Sequence, residues 1–248
     1  MPAKTIDEVI QQLEEIIDRS YWQKSRLGYF AALYRKVTIE VKKGIKSGFF
    51  EDGERMECFD VIFANRYLYA LEQYQSNGVL TRSWQLAFET SKHLWPLVLQ
   101  HLLLGMNAHI NLDLGIAAAK TSPKGAIRDL KEDFNKINDI LASLVDEVER
   151  KLAHIWPILK LLDHIGGRTD ETLINFSMER ARDQAWKLAR DLAPLEQTDK
   201  MSKIAALDKD IVMLARKILN PGLIASATAM IIRLGERGSI PQIIDILR

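Results

Sequence analysis

Apolar residues recur at helical spacing along almost the whole chain. Ile6, Val9, Ile10, Leu13, Ile16 and Ile17 form one stripe. The stripe opens on Thr5-Ile-Asp-Glu8, a capping box in which the threonine accepts from a backbone N–H and the glutamate reaches back to the cap. The same period predicts helices over about 25–47, ended by Gly48, and over about 55–76, ended by the Asn77-Gly78 turn. Thr81 starts a fourth, which Pro96 either kinks or separates from the apolar stretch after it.

A long pattern over 126–165 contains Pro157 and stops at Gly166-Gly167; further helices are predicted over 169–193 and 198–219, the latter ended by Asn220-Pro-Gly222. A short apolar helix near 223–234 and a last one, capped by Ser239 with Pro241 early in it, complete the chain. No fixed-period repeat appears, which argues against a solenoid.

Residues 97–119 are the most apolar stretch, and inside them Met106 to Ile116 alternate strictly between apolar and polar or small side chains. Alone, that alternation reads as a strand. A lone strand has nothing to pair with among helices, however, and its backbone groups would stay unsatisfied. On a helix, Asn107 falls with Asn111 on one side, and His109 with Asp113 nearly opposite. The expected architecture is therefore all-α: one domain over 1–248, a bundle of about eight to ten helices around a buried central helix at about 97–119. Residues 1–195 would form the main bundle and 196–248 a C-terminal helical extension packed on it.

Composition narrows the function. Apolar residues make up 47% and charged residues 27%, the balance of a globular chain. The net charge is +1 with no long basic run, so nucleic acid is not an expected partner. The segment 94–119 could be mistaken for a membrane span. An aspartate at the middle of a span costs about 2.5–3.5 kcal/mol, and this stretch holds Asp113 together with Asn107, Asn111 and Gln100, which would add to the cost. No membrane association is expected. Cys58 is the sole cysteine; it is read as a small buried hydrophobe, and the cytoplasm is the default location. Motifs for a nucleophile elbow, phosphate loop or dinucleotide site are absent, so no cofactor is assigned. A homo-oligomer is left open.

Buried Asn, His and Asp cost about 1–3 kcal/mol per unpaired neutral group, and more when charged. Partners are therefore sought in earlier helices: Arg35 and Glu40 in and just after Leu33-Tyr-Arg-Lys-Val-Thr38, and Asp60, Asn65, Arg66 and Tyr67 in Asp60-Val-Ile-Phe-Ala-Asn-Arg-Tyr67. At these residues the chain resembles a bacterial family of helical proteins of unknown function marked by Leu-Gly-Met-Asn-Ala-His-Ile-Asn-x-Asp-Leu, here Leu104 to Leu114. The resemblance extends to Gly48-x-Phe-x-Asp52, Phe63-Ala-x-Arg-Tyr67, Asp133, Asn138, Leu141 and Ala185-Trp186, and so covers about 25–190. It implies a helical fold and a shared buried polar cluster, and no activity.

Three functional readings are open. In the first, Arg35, Asp60, Arg66, His101, Asn107 and Asn111 help line an internal pocket for a small, partly apolar ligand or substrate. His109 would act there as general base, oriented by Asp113, with an arginine holding an anionic group. In the second, the cluster only specifies packing in a structural or interaction protein. In the third, a metal-dependent hydrolase, His109 and Asp113 share an ion with Asp60; on an unbroken helix His101 lies about 12 Å away along the axis and cannot join them, and only a break at Gly105 would bring it in. His93, His154 and His164 read as surface or capping residues, and Asp129, Glu132, Asp133 and Asp139 as a solvated face, with the alternative that Asp133 and Asn138, as part of the family pattern, face the centre.

Overall fold

The computed structural model describes residues 1–155 and 178–248, and every element among them is helical. Pro157, His164, Gly166-Gly167 and the start expected near Thr169 lie outside the described residues, as does the side chain of His154.

Helix α1 (Ile6–Trp22) begins at Thr5, whose hydroxyl accepts from the Glu8 N–H at 3.2 Å. The Glu8 carboxylate accepts from Lys4 N–H at 2.7 Å, one residue earlier than a regular capping box requires. Ile6, Val9, Leu13 and Ile17 are buried and pack chiefly on α2 (Leu27–Lys46). Asp52 accepts from Arg55 N–H at 2.9 Å and so opens α3 (Gly53–Gln75). Helix α4 (Arg82–Thr90) ends well before Pro96, so the proline separates helices and kinks none.

The central segment is continuous: α5 (Val98–Ala108), one π-helical turn (His109–Asp113), then α6 (Leu114–Thr121). A short 3₁₀ stretch (Lys124–Leu130) leads from it into α7 (Lys131–Ile155). Helices α2, α3 and α4 border the central segment, as do α8 (Met178–Leu192) and α9 (Gln197–Leu219), the next two among the described residues. Helices α10 (Leu223–Gly235) and α11 (Ile240–Leu247) complete the chain, and α11 packs on α1, α2 and α7.

Val98–Thr121 is long and apolar enough to cross a membrane, yet 83% of its most apolar window lies inside the protein, as in a core helix. Two glycines permit that enclosure. A Cβ on Gly105 would stand 2.5 Å from the Phe30 ring, and one on Gly115 would stand 2.6 Å from the Ala185 carbonyl oxygen. The α5–α2 and α6–α8 pairs approach that closely only because no side chain intervenes.

Buried polar groups far apart in sequence tie these helices together. Asp208 on α9 accepts from Arg82 N–H (2.8 Å), Ser83 N–H (3.1 Å) and the Ser83 hydroxyl (2.6 Å), so it caps α4 from outside. Asp133, wholly buried, accepts from Glu51 N–H at 2.7 Å and from Arg55 Nη2 at 2.8 Å, and so secures the entry to α3. Cys58 is exposed, contrary to the expectation of burial. Its neighbours Met56, Phe59 and Asp60 take the inward face of α3, and position 58 falls on the other side of the same period.

Candidate functional site

The wide turn at His109–Asp113 sets the geometry. The Leu114 N–H donates to the His109 carbonyl across it, a reach of five residues. With more than four residues per turn, side chains at i and i+4 come almost directly over one another, so His109 and Asp113 meet. Such turns are rare and occur often at functional sites.

Asp113 is fully buried. Its Oδ1 accepts from Arg66 Nε at 2.8 Å; its Oδ2 accepts from Trp84 Nε1 at 2.8 Å and from His109 Nδ1 at 3.2 Å. Burial alone would raise its pKa, but the Arg66 charge, His109 and the Trp84 N–H together hold it below the usual carboxylate value. Asp113 is thus an anion, and an anionic carboxylate only accepts, so His109 carries its proton on Nδ1. Burial also lowers the His109 pKa, against the opposing pull of Asp113. The imidazole is neutral, with a bare lone pair on Nε2.

That Nε2 is buried without a hydrogen-bond partner. Around it stand rings: Phe63 stacks on the imidazole at 3.6 Å and 7°, Tyr34 approaches edge-on at 4.6 Å, and Phe30, Trp84 and Tyr67 lie at 5.8, 5.8 and 6.2 Å. The hydroxyls of Tyr34 and Tyr67 are likewise buried and unpartnered. Burial pushes both tyrosines well above their ordinary value, so both stay protonated as donors. Asp60, whose charge acts on Tyr34, is buried with a partnerless Oδ2; burial, then the nearby Glu57, raises it to about 7.

The remaining candidate residues go elsewhere. Arg66, considered for holding a ligand anion, is engaged by Asp113. Arg35 pairs with Glu14 on α1. Asn111 Nδ2 donates to Asn107 Oδ1 at 3.0 Å, and Asn107 Nδ2 donates to the Ile211 carbonyl at 3.0 Å, so the asparagine face serves α9. His101 lies edge-on to Tyr29 and lines a separate small recess. Among the described residues, no three His, Cys, Asp or Glu side chains are grouped so as to hold a metal ion. Near Asp113 both oxygens already face N–H donors, one of them cationic. Trp84, Asp208 and Arg182 were not singled out by sequence. Arg182, buried against Phe134 and donating to its carbonyl, carries no motif that would mark it.

These features define an all-helical protein with an interior histidine–aspartate pair, seated on a π turn and enclosed by aromatic rings. The chain belongs to the family of unknown function DUF5995, whose model matches residues 6–221 and so contains the Leu104–Leu114 run. No curated protein and no solved structure matches it.

Proposed function

We propose that the protein binds a small, partly apolar molecule beside His109, with an N–H or O–H group of the ligand donating to Nε2. The observation that carries this reading is the gathering of three buried, unpartnered polar atoms, His109 Nε2, Tyr34 Oη and Tyr67 Oη, among aromatic rings in contact with the same imidazole. Left unanswered, each costs about 1–3 kcal/mol; a ligand with one donor and one or two acceptors answers all three. Half-buried Phe63 and Arg66 on α3 are the side chains that part to admit it. In a reacting complex His109 would act as general base, with Asp113 orienting it and stabilising the imidazolium that forms. The run from Leu104 to Leu114 then carries the family's shared site, and the cytoplasm is the expected setting.

The packing-only reading is favoured by one observation: the Asp113 carboxylate is fully satisfied by protein donors. A thermal-shift screen with phenols, indoles and short amides separates the two, run on the wild type and on His109→Phe. The substitution keeps a ring against Phe63 and leaves Asp113 with Arg66 and Trp84, but removes Nε2. Binding requires that at least one compound raise the wild-type melting temperature and lose that effect in the variant. Identical responses of the two proteins across the panel defeat it.

A further inference from the structure

A second polar group stands apart from His109. A recess of about 40 Å³ lies where the chain enters α2, α5 and α11, and Arg26, Tyr29, His101, Arg233 and Glu236 are among its lining residues. That volume holds about two or three waters or one small polyatomic group. The lining is built for negative charge in four ways.

Two guanidinium groups face it. Arg26 uses Nη1 on the Ser91 carbonyl at 3.3 Å, and Arg233 uses Nε on the Leu94 carbonyl at 2.8 Å, so each arginine keeps further N–H donors. Three helices also begin at the recess: Arg26 precedes α2, Val98 opens α5 and Ile240 opens α11, and helix starts carry partial positive charge.

One anion is already in place. The Glu236 carboxylate accepts from Val98 N–H at 3.0 Å and pairs with Arg233 at 3.1 Å, which shows that the site can hold a carboxylate. A single glutamate leaves two arginines and the helix ends with excess positive charge. Finally, His101 is 7% exposed and its Nε2 has no partner. Burial and the charges of Arg26 and Arg233 press its pKa down to about 3, while burial lifts the Tyr29 hydroxyl to about 12. Both groups therefore stay neutral; the tyrosine hydroxyl can donate, and the histidine donates from Nε2 when its proton is on that nitrogen.

We propose that this recess is a binding site for a single oxyanion, a carboxylate or phosphate group, held by Arg26 and Arg233 with Tyr29 and His101 as neutral donors. Leu94, Trp95 and Leu234 are exposed apolar side chains close in sequence to lining residues, so the anion can be free or the head of an amphiphile. The site is independent of the His109 reading.

The test titrates the full chain with sodium phosphate, acetate and octanoate against sodium chloride at matched ionic strength. Imidazole resonances and melting temperature are followed together. Saturable movement of the His101 resonances by phosphate or acetate, absent with chloride, is expected; tighter binding of octanoate than acetate assigns an amphiphile, and equal binding a free anion. Arg26→Gln should weaken phosphate or acetate about tenfold, as loss of one close cation does in a half-buried site. Glu236→Gln, which keeps an acceptor for Val98 N–H and deletes the resident charge, should strengthen it by a similar factor, and serves if Arg26→Gln fails to fold. No response beyond the chloride control, or unchanged affinity in Glu236→Gln, overturns the proposal.

Discussion

Asp113→Asn changes almost no volume, so its cost isolates the charge and hydrogen bonds of the central pair. Three donors converge on the carboxylate: Arg66 Nε and Trp84 Nε1 at 2.8 Å, and His109 Nδ1 at 3.2 Å. An asparagine supplies one acceptor oxygen. Placed where Oδ2 now sits, that oxygen keeps Trp84 and His109, and the amide NH₂ confronts the Arg66 N–H. In the reversed rotamer it keeps Arg66 and confronts the other two, of which only His109 can adapt by moving its proton to Nε2. Either way at least one buried donor meets a donor, at about 1–3 kcal/mol. Loss of the Arg66 attraction adds less, since that side chain is 32% exposed and water screens it.

The total expected is about 1–4 kcal/mol, read as a lowered midpoint in guanidinium unfolding at pH 7 with an unchanged denaturant slope. The pH profile adds a second check. A folded-state pKa held below 3.8 contributes stability that is present above pH 3.8 and is lost as pH falls through the lower folded value. The deficit of the variant should therefore stay constant from pH 8 to 5 and shrink only in stronger acid. A deficit under about 1 kcal/mol at pH 7, or one that fades by pH 5, would refute the assignment of Asp113 as an enclosed anion.

Asp60 carries the opposite sign: with a folded pKa of about 7 against 3.8, the folded state holds a proton that the unfolded chain has released. Stability should fall as pH rises from 3.8 to about 7, and Asp60→Asn should flatten that slope and gain about 2–4 kcal/mol at pH 8 in the same unfolding assay. Gly115→Ala, which drives a Cβ to 2.6 Å from the Ala185 carbonyl oxygen, should cost about 1–3 kcal/mol despite alanine's better helix propensity, measured by thermal melts. Cys58, being exposed, should react with one equivalent of a colorimetric thiol reagent in native buffer, and protection until denaturant is added would contradict its placement.

Local chemistry explains how much of this was legible. Thr5, Gly48, Thr81 and Ser239 mark helix ends through groups within a few residues, and each end lies close to its mark. The central alternation was also solvable, because a strand without partners is excluded by its unsatisfied backbone. The π turn was not, since no residue pattern in His109–Asp113 distinguishes it from an α-helical turn. Contacts across long separations stayed hidden for a related reason. Asp208 caps a helix 125 residues away from within a polar helix face, and the Trp84 indole reads as core until the acceptor 29 residues on is seen. The Arg35 and Cys58 expectations erred by the same mechanism: each was placed by residue type, whereas the helix period turns Arg35 toward Glu14 and Cys58 toward solvent.

The two polar faces of the central segment differ in how they are answered, and that difference locates the candidate site. On one face the Asn111 amide donates to Asn107 and the Asn107 amide to the main chain of α9; this is a link between helices, closed by the Ile211 carbonyl. On the other, the three donors to Asp113 fix its charge and the His109 tautomer, and the consequence falls on the far edge of the imidazole, where Nε2 is left bare. Packing alone uses the Nδ1 donor to Asp113 and has no use for the bare Nε2. A phenylalanine would stack on Phe63 as well, without a buried lone pair to desolvate. Asp113 would then answer Arg66 and Trp84 alone. The histidine at 109, rather than a ring of similar size, gives the packing reading a third donor to Asp113 but leaves it a buried lone pair on Nε2, which the ligand reading answers.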